Sequence, residues 1–177
     1  SALKAMSPHQ WVKNSLVFVP MGLAHQWGNA ETLGRSFFAF VVFCLCASAI
    51  YLINDLLDLT SDRMHPSKKH RPMASGHLPI AFGAAFSMFL LGSSLVASFF
   101  VGGRFFLVIL GYVALTSLYS VVLKRLVLVD VVILGLLYTV RLVAGSEATG
   151  IALSFWLSLF SLFFFSSLAL VKRCAEL

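Results

Sequence analysis

Three stretches of this chain, Ile80–Val101, Phe105–Leu123 and Ile151–Val171, each run for about the width of a bilayer without one charged side chain. A helix needs about 20 mostly apolar residues to cross the hydrocarbon core. The rest of the chain does not compensate. A soluble domain carries about 25% charged residues; this chain has 11%, against 59% hydrophobic. That is too little polar surface to wet a globule, so a soluble enzyme is all but excluded. Disorder, collagen and coiled coil fail on the same figures. A transmembrane β-barrel would alternate apolar and polar residues, whereas these runs are unbroken. What remains is an all-α, polytopic membrane helical bundle, a single transmembrane domain over residues 1–177.

Phe37–Ile53 is also uncharged and is expected to extend a turn at each end. Trp11–Trp27, which contains Pro20, and Leu126–Gly145, which contains Asp130 and Arg141, bring the expected count to six helices. Only Gly102, Gly103 and Arg104 separate the third from the fourth, which predicts a tight hairpin. Ten of the 13 Lys and Arg residues lie at the N-terminal end, after helix two, after helix four and in the tail. By the positive-inside rule these segments, and the N-terminus with them, face the cytoplasm. The net charge of +6 then belongs to loops facing anionic lipid or phosphorylated substrates, and no nucleic-acid partner is called for. Cys44, Cys46 and Cys174 have no metal-ligand or redox spacing.

Three of the seven acidic residues fall within Asn54-Asp55-Leu56-Leu57-Asp58-Leu59-Thr60-Ser61-Asp62. If the second helix continues through this stretch, the helical repeat puts Asp55, Asp58 and Asp62 within about 60° of one another, with Asn54 beside them. Like charges at these spacings repel. A divalent cation removes that cost, and all-oxygen ligands suit Mg²⁺, which completes its shell with water and substrate phosphate. Directly after comes Arg63–His77, with four permanent cations (Arg63, Lys68, Lys69, Arg71) and three histidines. Carboxylates beside a basic loop are what a Mg²⁺–diphosphate requires: the metal bridges phosphates and Lys or Arg neutralises the remaining charge. A basic loop that merely faced lipid would need no acidic triad in register.

The N-terminal Gln10-Trp11-Val12-Lys13-Asn14 forms an amphipathic entry to helix one. Trp11 as interface anchor with Lys13 snorkelling is one reading; a substrate contact is the other. Asp130 and Arg141 lie inside a span, where ionisable residues are functional or paired. They share a helix face but are ~16 Å apart along the axis, too far to pair with each other. Each therefore needs a partner on another helix or in a polar cavity. For Asp130 a helix-start role is an equal alternative.

The pattern Asn54-Asp55-x-x-Asp58-x-x-x-Asp62-Arg63-x-His65-Pro66-x-Lys68-x-x-Arg71-Pro72-x-Ala74-Ser75-Gly76 resembles the first aspartate-rich motif of the UbiA superfamily of intramembrane prenyltransferases. The Gln10–Asn14 opening and the Lys172-Arg173-x-Ala175-Glu176-Leu177 ending look most like its decaprenyl-phosphate phosphoribosyltransferase branch. The resemblance implies a nine-helix bundle around a central cavity, of which about six helices are present, in a bacterial inner membrane. It implies that Asp55, Asp58 and Asp62 are the catalytic and Mg²⁺-binding residues. It makes Asn54, Lys13, Lys68, Arg71, Lys172, Arg173 and Glu176 the candidate substrate-binding residues, the last three opening a second polar motif. Cys174 stands where an aromatic is expected. The chain begins with Ser1 and stops inside that second motif, so it is expected to be a fragment, truncated at the C-terminus and at the N-terminus.

The implied reaction is transfer of phosphoribose from phosphoribosyl pyrophosphate to a polyprenyl phosphate. The alternative keeps the fold and reverses the lipid's role: a polyprenyl diphosphate donor alkylates an aromatic or other small acceptor. Either way the partners are a polyprenyl lipid, a diphosphate-bearing donor and the membrane. A transporter would place its ionisable groups at midplane and show paired halves; here most charge lies at one surface and no repeat is visible.

Overall fold

The computed structural model describes residues 8–66, 68–121 and 127–175. It is helical throughout, with no strand among the described residues. A 3-10 helix, Pro8–Phe18, leads into the short helix α1 (Val19–Leu23). The long helix α2 (Ala30–Leu57) follows, then the six-residue α3 (Leu59–Met64) and a single 3-10 turn, Lys68–His70. Four more helices complete the bundle: α4 (Ile80–Val101), α5 (Gly103–Val121), α6 (Val127–Thr149) and α7 (Phe155–Ala175). Among the described residues, five helices (α2, α4, α5, α6 and α7) are long and apolar enough to cross a membrane. The protein is an integral membrane helical bundle.

The start of α2 is set by a cap. The Asn29 side chain accepts from the N–H groups of Glu31 at 3.0 Å and Thr32 at 3.2 Å, satisfying donors that a first turn leaves unpaired. Glu31 then pairs with Arg35 one turn on, at 2.8 Å. The helix therefore begins seven residues before Phe37, because capping and an i,i+4 pair admit two charged residues that hydropathy alone would exclude. At the same end of the bundle, where the first turns of α2 meet the last turn of α4, Gly102 joins α4 to α5 with φ +154°, a conformation that side-chain-bearing residues rarely adopt. The expected hairpin is present.

The first expected span is corrected. Trp11–Trp27 is not a continuous transmembrane α-helix but the 3-10 stretch followed by five residues of α1. Pro20, at the head of α1, has no N–H to give the preceding turn. The 3-10 stretch is instead pinned sideways. Trp11 Nε1 donates to Ser48 Oγ at 3.1 Å, and Asn14 Nδ2 donates to Cys44 Sγ at 3.3 Å, both on α2. Rising about 2 Å per residue, it extends roughly 22 Å along its own axis. Trp11 thus docks one element on another, which an interface anchor need not do.

Helices α2 and α6 are the inner pair and bury most of their surfaces, whereas α7 buries almost none. The core packs Val17 of the 3-10 stretch against Phe43 of α2, Phe105 and Ile109 of α5, and Ala144 of α6. The approach of the 3-10 stretch to α6 depends on Gly145: a Cβ there would run into the Val17 carbonyl. Backbone on both sides would have to move. Gly145→Val is therefore expected to destabilise the protein by about 1–3 kcal/mol, read as a lower midpoint in thermal or detergent unfolding. A change within experimental error would contradict this packing.

Candidate functional site

The acidic stretch lies where α2 ends. The helix stops at Leu57, α3 begins at Leu59, and Asp58 between them takes φ −92° and ψ 9°. Its N–H still donates to the Asn54 carbonyl at 2.9 Å, and its carbonyl accepts from the Asp62 N–H at 2.8 Å. The chain bends here while keeping its hydrogen bonds. Three carboxylates on one uninterrupted helix face would repel; here the helix is interrupted at Asp58. The expectation of a continuous three-carboxylate face is corrected accordingly. Asp55 and Asp62 come together, while Asp58 sits at the bend, partly exposed. No group of three His, Cys, Asp or Glu side chains placed to hold an ion occurs among the described residues.

Arg71 is what joins the two carboxylates. Its Nη1 donates to Asp55 Oδ1 and to Asp62 Oδ2, each at 2.8 Å. Asp62 is only 2% exposed, and a charge that buried requires a partner. The loop holds Arg71 in place through its backbone. The Arg71 carbonyl accepts from the Ser75 N–H at 2.9 Å and from Ser75 Oγ at 2.8 Å. Next to it, Met73 is buried with Leu52 and Leu78. Two carboxylate oxygens thus meet at one point, already taken by a positively charged nitrogen. That is an all-oxygen donor pair of the kind Mg²⁺ takes, so the residues fit the ion the resemblance implies.

Asn54, one residue earlier, is held by a different helix. Ser120 Oγ on α5 donates to Asn54 Oδ1 at 2.8 Å, which leaves the Asn54 amide nitrogen as a donor. Beside Ser120, Tyr119 donates its hydroxyl to Asp130 Oδ1 at 2.7 Å. Asp130 is buried in the first turn of α6, and Arg173 of α7 approaches its other oxygen at 3.8 Å. The partners that Asp130 requires are therefore on α5 and α7. Lys172 lies exposed in the last turn of α7. Glu176 and the side chain of Lys68 lie outside the described residues.

From Asn54 a cavity of about 170 Å³ runs inward between α2, α5 and α6, and Lys13, Tyr51, Tyr138 and Arg141 also line it. Arg141 is 5% exposed. Its Nε donates to Asn14 Oδ1 at 2.9 Å, its Nη1 to the Leu137 carbonyl and its Nη2 to the Tyr112 hydroxyl at 3.4 Å. The guanidinium also sits 5.3–5.5 Å from the ring centres of Phe43, Tyr112 and Tyr138, within cation–π range. Arg141 was singled out by its place in an apolar run. Ser120 and the tyrosines carry no such mark, because a single polar residue near a helix end gives no signal until its neighbours are known.

The chain matches the model of the UbiA prenyltransferase family over residues 15–176. It is 39% identical over 176 residues to the nodulation protein NoeC of Azorhizobium caulinodans, covering 98% of this chain and 56% of that protein. It is 37% identical over 179 residues to the decaprenyl-phosphate phosphoribosyltransferase of Mycolicibacterium smegmatis, covering 99% of this chain and 56% of that one. The chain thus spans little more than half the length of either relative. In fold it resembles a UbiA homologue from Archaeoglobus fulgidus solved with GPP and Mg²⁺, with a TM-score of 0.77 at 20% identity over 94% of this chain and 60% of that one.

Arg71 gives this site a direct stability test. In metal-free protein, Arg71→Ala leaves buried Asp62 without its cation, a loss of about 1–3 kcal/mol. The lower end is expected, because the Arg71 side chain is 40% exposed and water screens the pair. Thermal unfolding should show the loss, and added Mg²⁺ should recover part of it. Unchanged stability would mean that the ion pairs do not hold this loop.

Proposed function

Because the chain belongs to the UbiA prenyltransferase family, we propose that the protein is a Mg²⁺-dependent intramembrane transferase that moves phosphoribose from phosphoribosyl pyrophosphate to a polyprenyl phosphate and releases diphosphate. The observation that carries this reading is the convergence of Asp55 and Asp62 on one cationic nitrogen, beside Asn54 at the mouth of an intramembrane cavity. The relative from Mycolicibacterium smegmatis, named as a decaprenyl-phosphate phosphoribosyltransferase, supports the choice of donor and acceptor. The distribution of Lys and Arg supports a cytoplasmic placement of this mouth and of the N-terminal segment.

Asp55 and Asp62 would hold the ion, with Asp58 at the bend as a further carboxylate. Bound there, Mg²⁺ would offset the charge that collects on a departing diphosphate. The Asn54 amide nitrogen, aimed by Ser120, donates to a phosphate oxygen. Arg71 and Lys68 neutralise other phosphate oxygens; Arg71 can turn from the carboxylates to the donor once they have another cation. Lys13 and the tail residues Lys172, Arg173 and Glu176 contribute further substrate contacts. An oxygen of the lipid phosphate then forms a bond to the anomeric carbon of ribose. The bond from that carbon to the diphosphate oxygen breaks, and its electron pair leaves with the diphosphate. The attacking phosphate is already anionic, so no residue has to remove a proton from it.

A second reading is favoured by the GPP and Mg²⁺ bound to the Archaeoglobus fulgidus homologue: a prenyl diphosphate donor and a small acceptor at the same carboxylates. Full-length protein offered each labelled donor in turn separates the two readings. Labelled phosphoribose should enter the lipid fraction and labelled prenyl should not reach a small acceptor. In the same assay Asp55→Asn and Asp62→Asn should each lower the rate roughly 10²–10³-fold, the scale for losing one electrostatic contact to developing charge. A wild-type rate in either variant would remove the assignment of these carboxylates.

A further inference from the structure

We infer that Arg141 and Lys13 form an inner subsite for a phosphate monoester, filled by the 5-phosphate of the pentose donor; this deepens the reading above and rests on it. The cavity has two chemically different ends. Along α2 its lining runs from Asn54 to Ala47, along α5 from Tyr119 to Tyr112, and along α6 from Leu134 to Arg141. Each pair is seven residues apart, or about 10 Å of helix. The outer end of that span is Asn54, next to the carboxylates. The inner end is Arg141.

Lys13 belongs to the inner end as well. Its neighbours Trp11 and Asn14 meet α2 at Ser48 and Cys44, deeper than Asn54, and Asn14 contacts Arg141 itself. Neither cation has a carboxylate within ion-pair distance among the described residues. A buried Arg charge within a membrane bundle is costly without an anion. Its partners here are an amide, a backbone carbonyl, a tyrosine hydroxyl and three aromatic faces, none of them anionic. Three of the five guanidinium N–H groups are used in these bonds, which leaves two to donate.

A ligand that neutralises both ends must carry anions at both ends. A prenyl diphosphate does not: its tail would press hydrocarbon against Arg141 and Lys13. A pentose with a diphosphate on its anomeric carbon and a phosphate on its fifth carbon does. The subsite would thus recognise the donor by the group that takes no part in bond exchange, and would fix the sugar's direction in the cavity.

The test uses full-length protein in nanodiscs, with ribose 5-phosphate as the ligand for the inner end and inorganic diphosphate with Mg²⁺ for the outer end. Arg141→Gln should weaken ribose 5-phosphate binding about tenfold or more, the scale of a charge-assisted hydrogen bond, and leave diphosphate binding within about twofold. Lys13→Ala, at an exposed position, should give a partial loss of the same selectivity, and Arg141→Lys should retain more binding than Arg141→Gln. Should Arg141→Gln fail to fold, these two variants decide. Unchanged ribose 5-phosphate binding, or an equal loss for both ligands, overturns the inference. So does a loss confined to the polyprenyl phosphate, whose phosphate monoester would then be the occupant. If wild-type protein transfers phosphoribose but binds ribose 5-phosphate independently of Arg141, the inner subsite fails and the proposed function stands. If it binds no ribose 5-phosphate and transfers prenyl groups, both fail.

Discussion

One guanidinium nitrogen shared by two carboxylates organises the mouth of this bundle. Asp55 lies in the last turn of α2 and Asp62 on the short helix after the bend. Without a common cation they would repel across the bend at Asp58. Arg71 supplies that cation from the following loop, so the helix end, the short helix and the loop are tied at a single point. Arg71 is half-exposed and Asp62 is not, so the arginine is the more accessible member of the pair. The stability of this loop and the proposed metal site draw on the same two oxygens.

On α6, charge is handled differently. Asp130 and Arg141 lie on one helix, each matched to groups on other elements. Asp130 takes a tyrosine from α5 and an arginine from α7, which links helices whose apolar surfaces alone would allow sliding. Arg141 takes an amide from the 3-10 stretch and aromatic faces from α2, α5 and α6. The irregular N-terminal stretch is explained by the same contacts. A regular helix there would carry its side chains at a different pitch, whereas the 3-10 stretch as it stands brings Trp11 to Ser48, Asn14 to Arg141 and Val17 to Gly145.

Much of the bundle was legible in the sequence because hydrophobic runs free of charge have few alternatives. Ile80–Val101 matches α4 at both ends, and Phe105 and Ile151 fall within a few residues of where α5 and α7 begin. Hydropathy failed where local chemistry overrides it. Asn29 capping carried α2 back through Glu31 and Arg35, and Pro20 with its docked neighbours replaced a span by a 3-10 stretch. At the site, the helical period grouped Asp55 with Asp62 correctly. It could not show the break at Asp58, because a bend that preserves the hydrogen bonds leaves the sequence spacing unchanged. The partners of Asp130 and Arg141 were required by the cost of buried charge. Their identities depend on which helices touch, and a single sequence does not carry that.

If Asp55 and Asp62 are the seat of a metal–diphosphate, as proposed, a bound ion should be detectable there. Mn²⁺ can stand in for Mg²⁺ at all-oxygen sites and is visible by electron paramagnetic resonance. The most direct measurement is a Mn²⁺ titration of full-length protein with and without inorganic diphosphate, repeated on Asp62→Asn. A bound-Mn²⁺ signal strengthened by diphosphate is expected in the wild type and should be lost in the variant. An equal signal in both proteins would place the metal elsewhere and remove these carboxylates from the site.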